Sequence, residues 1–192
     1  MNHLAHLYLA RPTVESRVGN LLGDFARGVD IDALPAPVKE GLDNHRATDA
    51  FTDRHPEVLR AKTLFSKQRR RFAGVALDVL FDHYLIRNWS RFTQASRPAF
   101  IEDAYQDLDR GRHLMPKAMV EVTQRMIRHD WLSAYEELDT IGLALDRIAG
   151  RIRFPNQFGG MIEEIKVMDE ELETVFLAFF PDLLAFTGTR QQ

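Results

Sequence analysis

His45, Asp49 and Asp53 recur every fourth residue in DNHRATDAFTDR. On a helix, adjacent members of such a row meet, while the outer two lie about 12 Å apart. One cation can take His45 or Asp53 from this row, but hardly both. The row continues a stripe begun by Val38 and Leu42, so His45 stands where an apolar side chain is expected. A second anomaly lies in RRRFAGVALDVLFDHYLIRNWSRF, where Val75, Val79, Ile86 and Trp89 mark an apolar face and Asp82 fills its gap. A carboxylate at a core position is costly unless it is paired or bound to a cation. Asp78 lies one turn earlier, about 6 Å along the axis, so both carboxylates can serve one pocket, whereas His83 is turned about 100° from Asp82. Pairing of Asp82 with a buried arginine is the alternative.

Two further segments add donors. In GNLLGDFARG, Asp24 follows Asn20 by one turn and sits between Gly23 and an apolar run. Glycine inside a helix costs about 1 kcal/mol against alanine, so Gly19 and Gly23 point to close approach of another element or a ligand. His3 and His6 are three apart in the apolar MNHLAHLYLA. Hydrogen-bonded core imidazoles are the plain reading of that pair. Four helices thus each offer His or Asp from a mostly apolar face, which is how a metal site is built in a helical bundle. The chain has no cysteine, so such a site must be all N/O. That suits Mn, Mg, Fe or Zn, and the carboxylate share favours Mn or Mg.

Helical spacing dominates and strand alternation is nearly absent, so these donors are expected on an all-α scaffold. The spacing predicts helices at about 1–10, 13–28, 37–53, 56–67, 69–92, 98–109, 116–129, 131–150 and 159–186. Thr13 is a plausible cap and Gly28 a plausible stop, and His55-Pro56 breaks the chain because proline disfavours the α region before it. His129-Asp130 reads as a helix cap and surface pair. With no repeat or long linker, residues 1–192 form one compact multi-helix domain.

The chain has 192 residues, 45% of them hydrophobic and 28% charged, the balance of an ordinary globular domain. No run of about 18 apolar residues and no secretory leader is evident, so the cytoplasm is the expected compartment. The net charge of -3 is unevenly spread: residues 1–96 hold 14 Lys and Arg against 11 Asp and Glu, and residues 97–192 hold 11 against 17. A short basic run and a pI of about 6.2 argue against nucleic acid.

MNHLAHLYLA, GNLLGDFARG, HRATDAFTDRHPEV and RRFAGVALDVLFDHYL resemble, in order, the signature blocks of the acyl carrier protein phosphodiesterase family, regarded as a divergent branch of the HD metal-dependent phosphohydrolases. The resemblance implies an all-α, divalent-metal-dependent enzyme. Its expected reaction is hydrolysis of the phosphodiester that joins 4'-phosphopantetheine to a serine of holo acyl carrier protein. In that superfamily the ligand order is His, His-Asp, Asp. His6 matches the first histidine, Asp24 the paired aspartate, and Asp78 or Asp82 the last. Gly23 stands where the paired histidine would be, and His45 is nominated in its place.

The expected metal ligands are therefore His6, Asp24, His45 and Asp82, with Mn the first expectation. Asp24, Asp78 and Arg46 are the expected catalytic residues, Asp78 orienting a water or taking its proton. Arg46 and Arg27 are candidates to meet charge growing on the phosphoryl oxygens, with a surface salt bridge the plainer reading of Arg27. Arg69, Arg70 and Arg71 are expected to receive the acidic carrier protein, a solvated basic face being the alternative, and the acidic segment from Glu163 to Glu173 is expected to face away. An HD-like phosphohydrolase acting on a nucleotide or small phosphate ester, and a non-catalytic module that binds carrier protein, are the competing readings.

Overall fold

The computed structural model describes residues 1–190. Among them every regular element is helical. The chain begins with α1 (His3–Tyr8) and α2 (Val14–Leu22), whose N-cap Thr13 accepts a hydrogen bond from the Ser16 amide. A 3-10 turn at Gly23–Phe25 ends that helix earlier than expected, so Asp24 lies on a turn and not within a helix. Then come α3 (Ala36–Arg54) and α4 (Pro56–Leu64). Pro56 opens α4 and His55 is extended, as the residue before proline must be.

The expected 69–92 helix is three pieces: a 3-10 turn at Arg70–Phe72, α5 (Ala73–Arg87), and α6 (Trp89–Phe92) after a break at Asn88. Next are α7 (Arg97–Arg110), α8 (Lys117–Arg128), α9 (Trp131–Ala134) and α10 (Leu138–Ala149). Asp130 caps α9 by accepting from the Ser133 amide. The last expected helix is divided at Met168 into α11 (Ile162–Val167) and α12 (Asp169–Arg190).

Two glycines fix the central contact. A Cβ on Gly19 would lie 2.3 Å from the Val38 carbonyl oxygen, and one on Gly41 would lie 2.7 Å from that of Ser16. Backbone therefore meets backbone where α2 crosses α3, and no larger residue fits at either position. Asn20 and Asn44 lock the crossing, the Asn44 amide donating to Asn20 Oδ1 at 2.9 Å. On the other side α5 packs against α12, with Phe81 5.5 Å from both Phe176 and Phe179. Among the described helices only α12 is long and apolar enough to cross a membrane, and here Phe176, Phe179, Phe180 and Leu183 on it are core residues. Val75, expected on the buried face of α5, is 42% exposed, because the first turns of that face are Ala73, Ala76 and Leu77.

The unequal charge of the two halves is spent inside the fold. Arg17 pairs with Asp107 at 2.7 Å, Arg60 with Glu171 at 3.2 Å, Arg69 with Glu164 at 3.3 Å, and Arg87 with Asp169 and Glu173 at 3.0 Å. The acidic segment from Glu163 to Glu173 is clamped to the basic half through Arg60, Arg69 and Arg87.

Candidate metal centre

Two helices, α1 and α3, bring His6, His45 and Asp49 together, with one possible ligand atom from each lying within 4.8 Å of the others. The crossing of α2 and α3 presses His45 against α2. Its Nδ1 lies 2.7 Å from the Asn20 carbonyl oxygen, which only accepts, so Nδ1 carries a proton and donates it. Nε2 of a neutral His45 is then a bare lone pair, facing Asp49 Oδ2 at 3.1 Å. His6 stacks on His45 with ring centroids 3.9 Å apart and brings its own Nε2 to 3.2 Å from Asp49 Oδ1. That contact is not aligned as a hydrogen bond, and both ring nitrogens of His6 are buried without a hydrogen-bond partner.

Lone pairs facing a carboxylate repel unless a proton or a metal cation lies between them. Burial drives the His6 pKa down to about 3, so this ring stays neutral at neutral pH. Burial also opposes a charge on His45, but Asp49, with help from Asp24 and the Asn20 carbonyl, outweighs it and raises the pKa. Asp49 is partly buried, yet His45, His6 and the Met1 amino group hold its carboxyl well below the usual carboxylate range. A divalent ion fits this donor set. Its metal–ligand bonds of about 2.0–2.2 Å bring ligand atoms to such separations, and a histidine that donates its other N–H to a carbonyl is the usual metal-bound form.

The surroundings are half-open. Asp24 is 44% exposed and its Oδ2 stands 3.6 Å from Nδ1 of His3, whose charged form burial disfavours most. Asp78, also 44% exposed, receives the Met1 amino group at 2.9 Å, and the same amino group reaches Asp49 at 3.1 Å. Asp24, Asp49 and Asp78 therefore rim one site, with His3, His6 and His45 beneath them. Arg46 is exposed one turn before Asp49 and 3.8 Å from Asp43; Arg27 is exposed beyond the Asp24 turn.

Asp82 has a different task from the one expected. It is fully buried and accepts from the Leu4 and Ala5 amides, each at 2.9 Å. Its two oxygens thus cap the start of α1 and aim His6 at the site, and burial pushes its pKa up to about 7. The expected basic docking run is also employed elsewhere. Arg69 donates to the carbonyls of Gln157 and Gly159, Arg70 to those of Thr63 and Phe65, and the Arg71 guanidinium lies between the rings of Phe72 and Phe154. A guanidinium held by carbonyls or rings of its own chain is not a free docking charge.

Asp49 is the donor that sequence reasoning passed over as a ligand, although its spacing from His45 carried the signal. His83 lies apart, 2.9 Å from both the Tyr135 carbonyl oxygen and an Arg87 nitrogen.

An all-α domain that gathers His and Asp around one half-open point has a donor set that can hold a metal ion and a make-up suited to a hydrolase. The model of the acyl carrier protein phosphodiesterase family matches residues 1–183, and the chain belongs to that family. It is 34% identical over 185 residues to the acyl carrier protein phosphodiesterase of Photorhabdus laumondii, covering 96% of this chain and 93% of that one. It is 33% identical to the corresponding protein of an Enterobacter species and 35% identical to that of Yersinia enterocolitica, in both cases over all of both chains. No solved structure matches it.

Proposed function

We propose that this phosphodiesterase hydrolyses the bond between 4'-phosphopantetheine and a serine of holo acyl carrier protein, with a divalent cation, Mn first among the candidates, held by His6, His45 and Asp49. The observation that supports this most is the meeting of two buried imidazole nitrogens on one carboxylate, with lone pairs that call for a cation. Such a cation supplies a water of lowered pKa and polarises the phosphoryl oxygens.

The chain's own residues do the rest. Asp78, beside Asp49 and open to solvent, orients the attacking water and takes its proton. Asp24 holds the far rim with His3. The phosphorus–oxygen bond to the serine breaks as the bond to the water oxygen forms, and the serine oxygen leaves with a proton. Arg46 meets negative charge as it grows on the equatorial oxygens, where a guanidinium acts most strongly in the transition state. The reaction places the protein in the cytoplasm with its carrier-protein substrate.

The test is incubation with holo acyl carrier protein and Mn, followed by mass measurement of the carrier. Loss of the phosphopantetheine mass is expected. No loss with Mn, Mg, Fe or Zn, or faster turnover of a small nucleotide ester, overturns the reading.

A further inference from the structure

We propose that Lys62 binds the substrate's phosphate, a role that rests on the phosphodiesterase reading and adds a ground-state anchor to Arg46, which that reading reserves for the transition state. Lys62 comes from α4 and donates from Nζ to Asp53 Oδ1 at 2.8 Å. The same ammonium lies over Gly74, where an added Cβ would sit 3.7 Å from Nζ and 3.5 Å from Cε. Asp53 is one turn after Asp49 on α3, and Gly74 is one turn before Asp78 on α5.

Two ammonium groups therefore bridge the same pair of helices like rungs. The Met1 amino group joins Asp49 to Asp78, and Lys62 joins Asp53 to Gly74. The rungs are about one helical turn, or 6 Å, apart, and the pairing of 49 with 78 and 53 with 74 requires α3 and α5 to run in opposite senses. Lys62 thus stands one rung from the proposed ion, within reach of its flexible four-carbon stem.

Charge gives it a purpose there. Asp24, Asp49 and Asp78, the Met1 amino group and a divalent ion together carry no net charge. A phosphodiester monoanion entering that rim meets little net field from it as a whole, so a further cation strengthens its binding, and Arg46 is kept for charge that grows in the transition state. Arg69, Arg70 and Arg71 are held by their own chain, and Arg46 stands exposed at the outer surface of α3. Lys62 is the cation with a half-buried stem, 24% exposed, whose ammonium lies between Asp53 and Gly74, one turn from Asp49 and Asp78. Its partner Asp53 is 72% exposed, so the pair adds little to stability. Asp53 holds the ammonium in place until a phosphoryl oxygen replaces it.

The test uses the Mn-loaded protein and inorganic phosphate as the probe. Calorimetry should give a phosphate Kd that rises at least tenfold in Lys62→Met and recovers in part in Lys62→Arg, with Mn affinity and melting temperature unchanged. Hydrolysis of bis-p-nitrophenyl phosphate by the same proteins should lose about 100-fold in kcat/KM in Lys62→Met. Unaltered phosphate affinity in Lys62→Met overturns the proposal. If phosphate binding depends on Lys62 but holo acyl carrier protein is not cleaved, the anion site stands and the substrate assignment falls.

Discussion

A Cβ on Gly23 would lie 2.0 Å from Cδ2 and 2.1 Å from Nε2 of His45, so the space left by one residue is filled by the ring of the other. The exchange proposed for this site is that His45 supplies the ligand that the resemblance expects from a histidine at position 23. His45 has no free direction in which to retreat, since its Nδ1 is bonded to Asn20 and its face is stacked on His6. Gly23→Ala is therefore expected to weaken Mn binding at least tenfold, as is His45→Ala. The double variant with Gly23→His and His45→Ala is expected to regain part of that affinity. Mn titration of the three proteins decides it, and a double variant no better than His45→Ala refutes the exchange.

Asp49 faces two imidazole nitrogens at once and accepts from the Met1 amino group, so its removal should do more than remove one ligand. Without it His6 and His45 have lone pairs but no anion to balance an ion. Asp49→Asn is expected to cost more Mn affinity than the roughly 10–100-fold that follows loss of a ligand's outer partner. Hydrolysis should fall with it, and the melting temperature of the metal-free protein at neutral pH should fall too, since the Met1 amino group and the two imidazoles hold this carboxyl well below its usual range. Full Mn affinity in Asp49→Asn would move the centre elsewhere.

Asp82 is expected to matter for stability. Asp82→Asn keeps one acceptor oxygen and turns an amide N–H toward a backbone N–H, so one of two buried bonds is lost at a cost of about 1–3 kcal/mol. The pH dependence has a definite sign. The folded-state pKa is raised from 3.8 to about 7 by burial, with Asp78 adding to the rise and the two amides and the Met1 amino group opposing it. Tyr135 faces the same carboxylate and has its own pKa raised, chiefly by burial. A raised carboxyl pKa means that the folded state holds a proton the unfolded chain has released, so this contribution is full below about pH 4 and is lost as pH rises to about 7. Denaturant unfolding of metal-free protein should show the advantage of wild type over Asp82→Asn shrinking across that window. A constant difference would mean that Asp82 does not titrate there.

The sequence made the donors legible where an ionisable residue broke an apolar stripe. His45, Asp82 and the glycines of GNLLGDF were visible in this way, and so was the helical class. What it hid was the partner of each. Asp82 broke its stripe to bind the amides of Leu4 and Ala5, 78 and 77 residues away, and no local pattern distinguishes that from a metal ligand. Asp49 shared the stripe of Val38, Leu42 and His45, but was passed over because the choice in that row was framed as His45 or Asp53, while the ligand that joins His45 is its neighbour one turn on. The long 69–92 and 159–186 helices were too long because the breaks at Asn88 and Met168 carry neither glycine nor proline. The charged halves looked like two surfaces because sequence alone does not reveal ion pairs made across the fold.

Those ion pairs change what Arg69 is expected to do. Its guanidinium joins the carbonyls of Gln157 and Gly159 to Glu164, which also accepts from the Ser66 amide. Arg69 therefore fastens the segment before α11 to the start of α5, and its loss removes several charge-assisted bonds from a half-buried junction. Arg69→Ala is expected to lower stability by about 1–3 kcal/mol, seen as a lower denaturation midpoint. Arg71, between two phenylalanine rings, should cost about 0.5–1 kcal/mol when replaced by alanine. At a temperature where these variants are folded, turnover of holo acyl carrier protein and of a small diester should fall together or not at all. A loss confined to the carrier protein would return the basic run to the role of a docking surface.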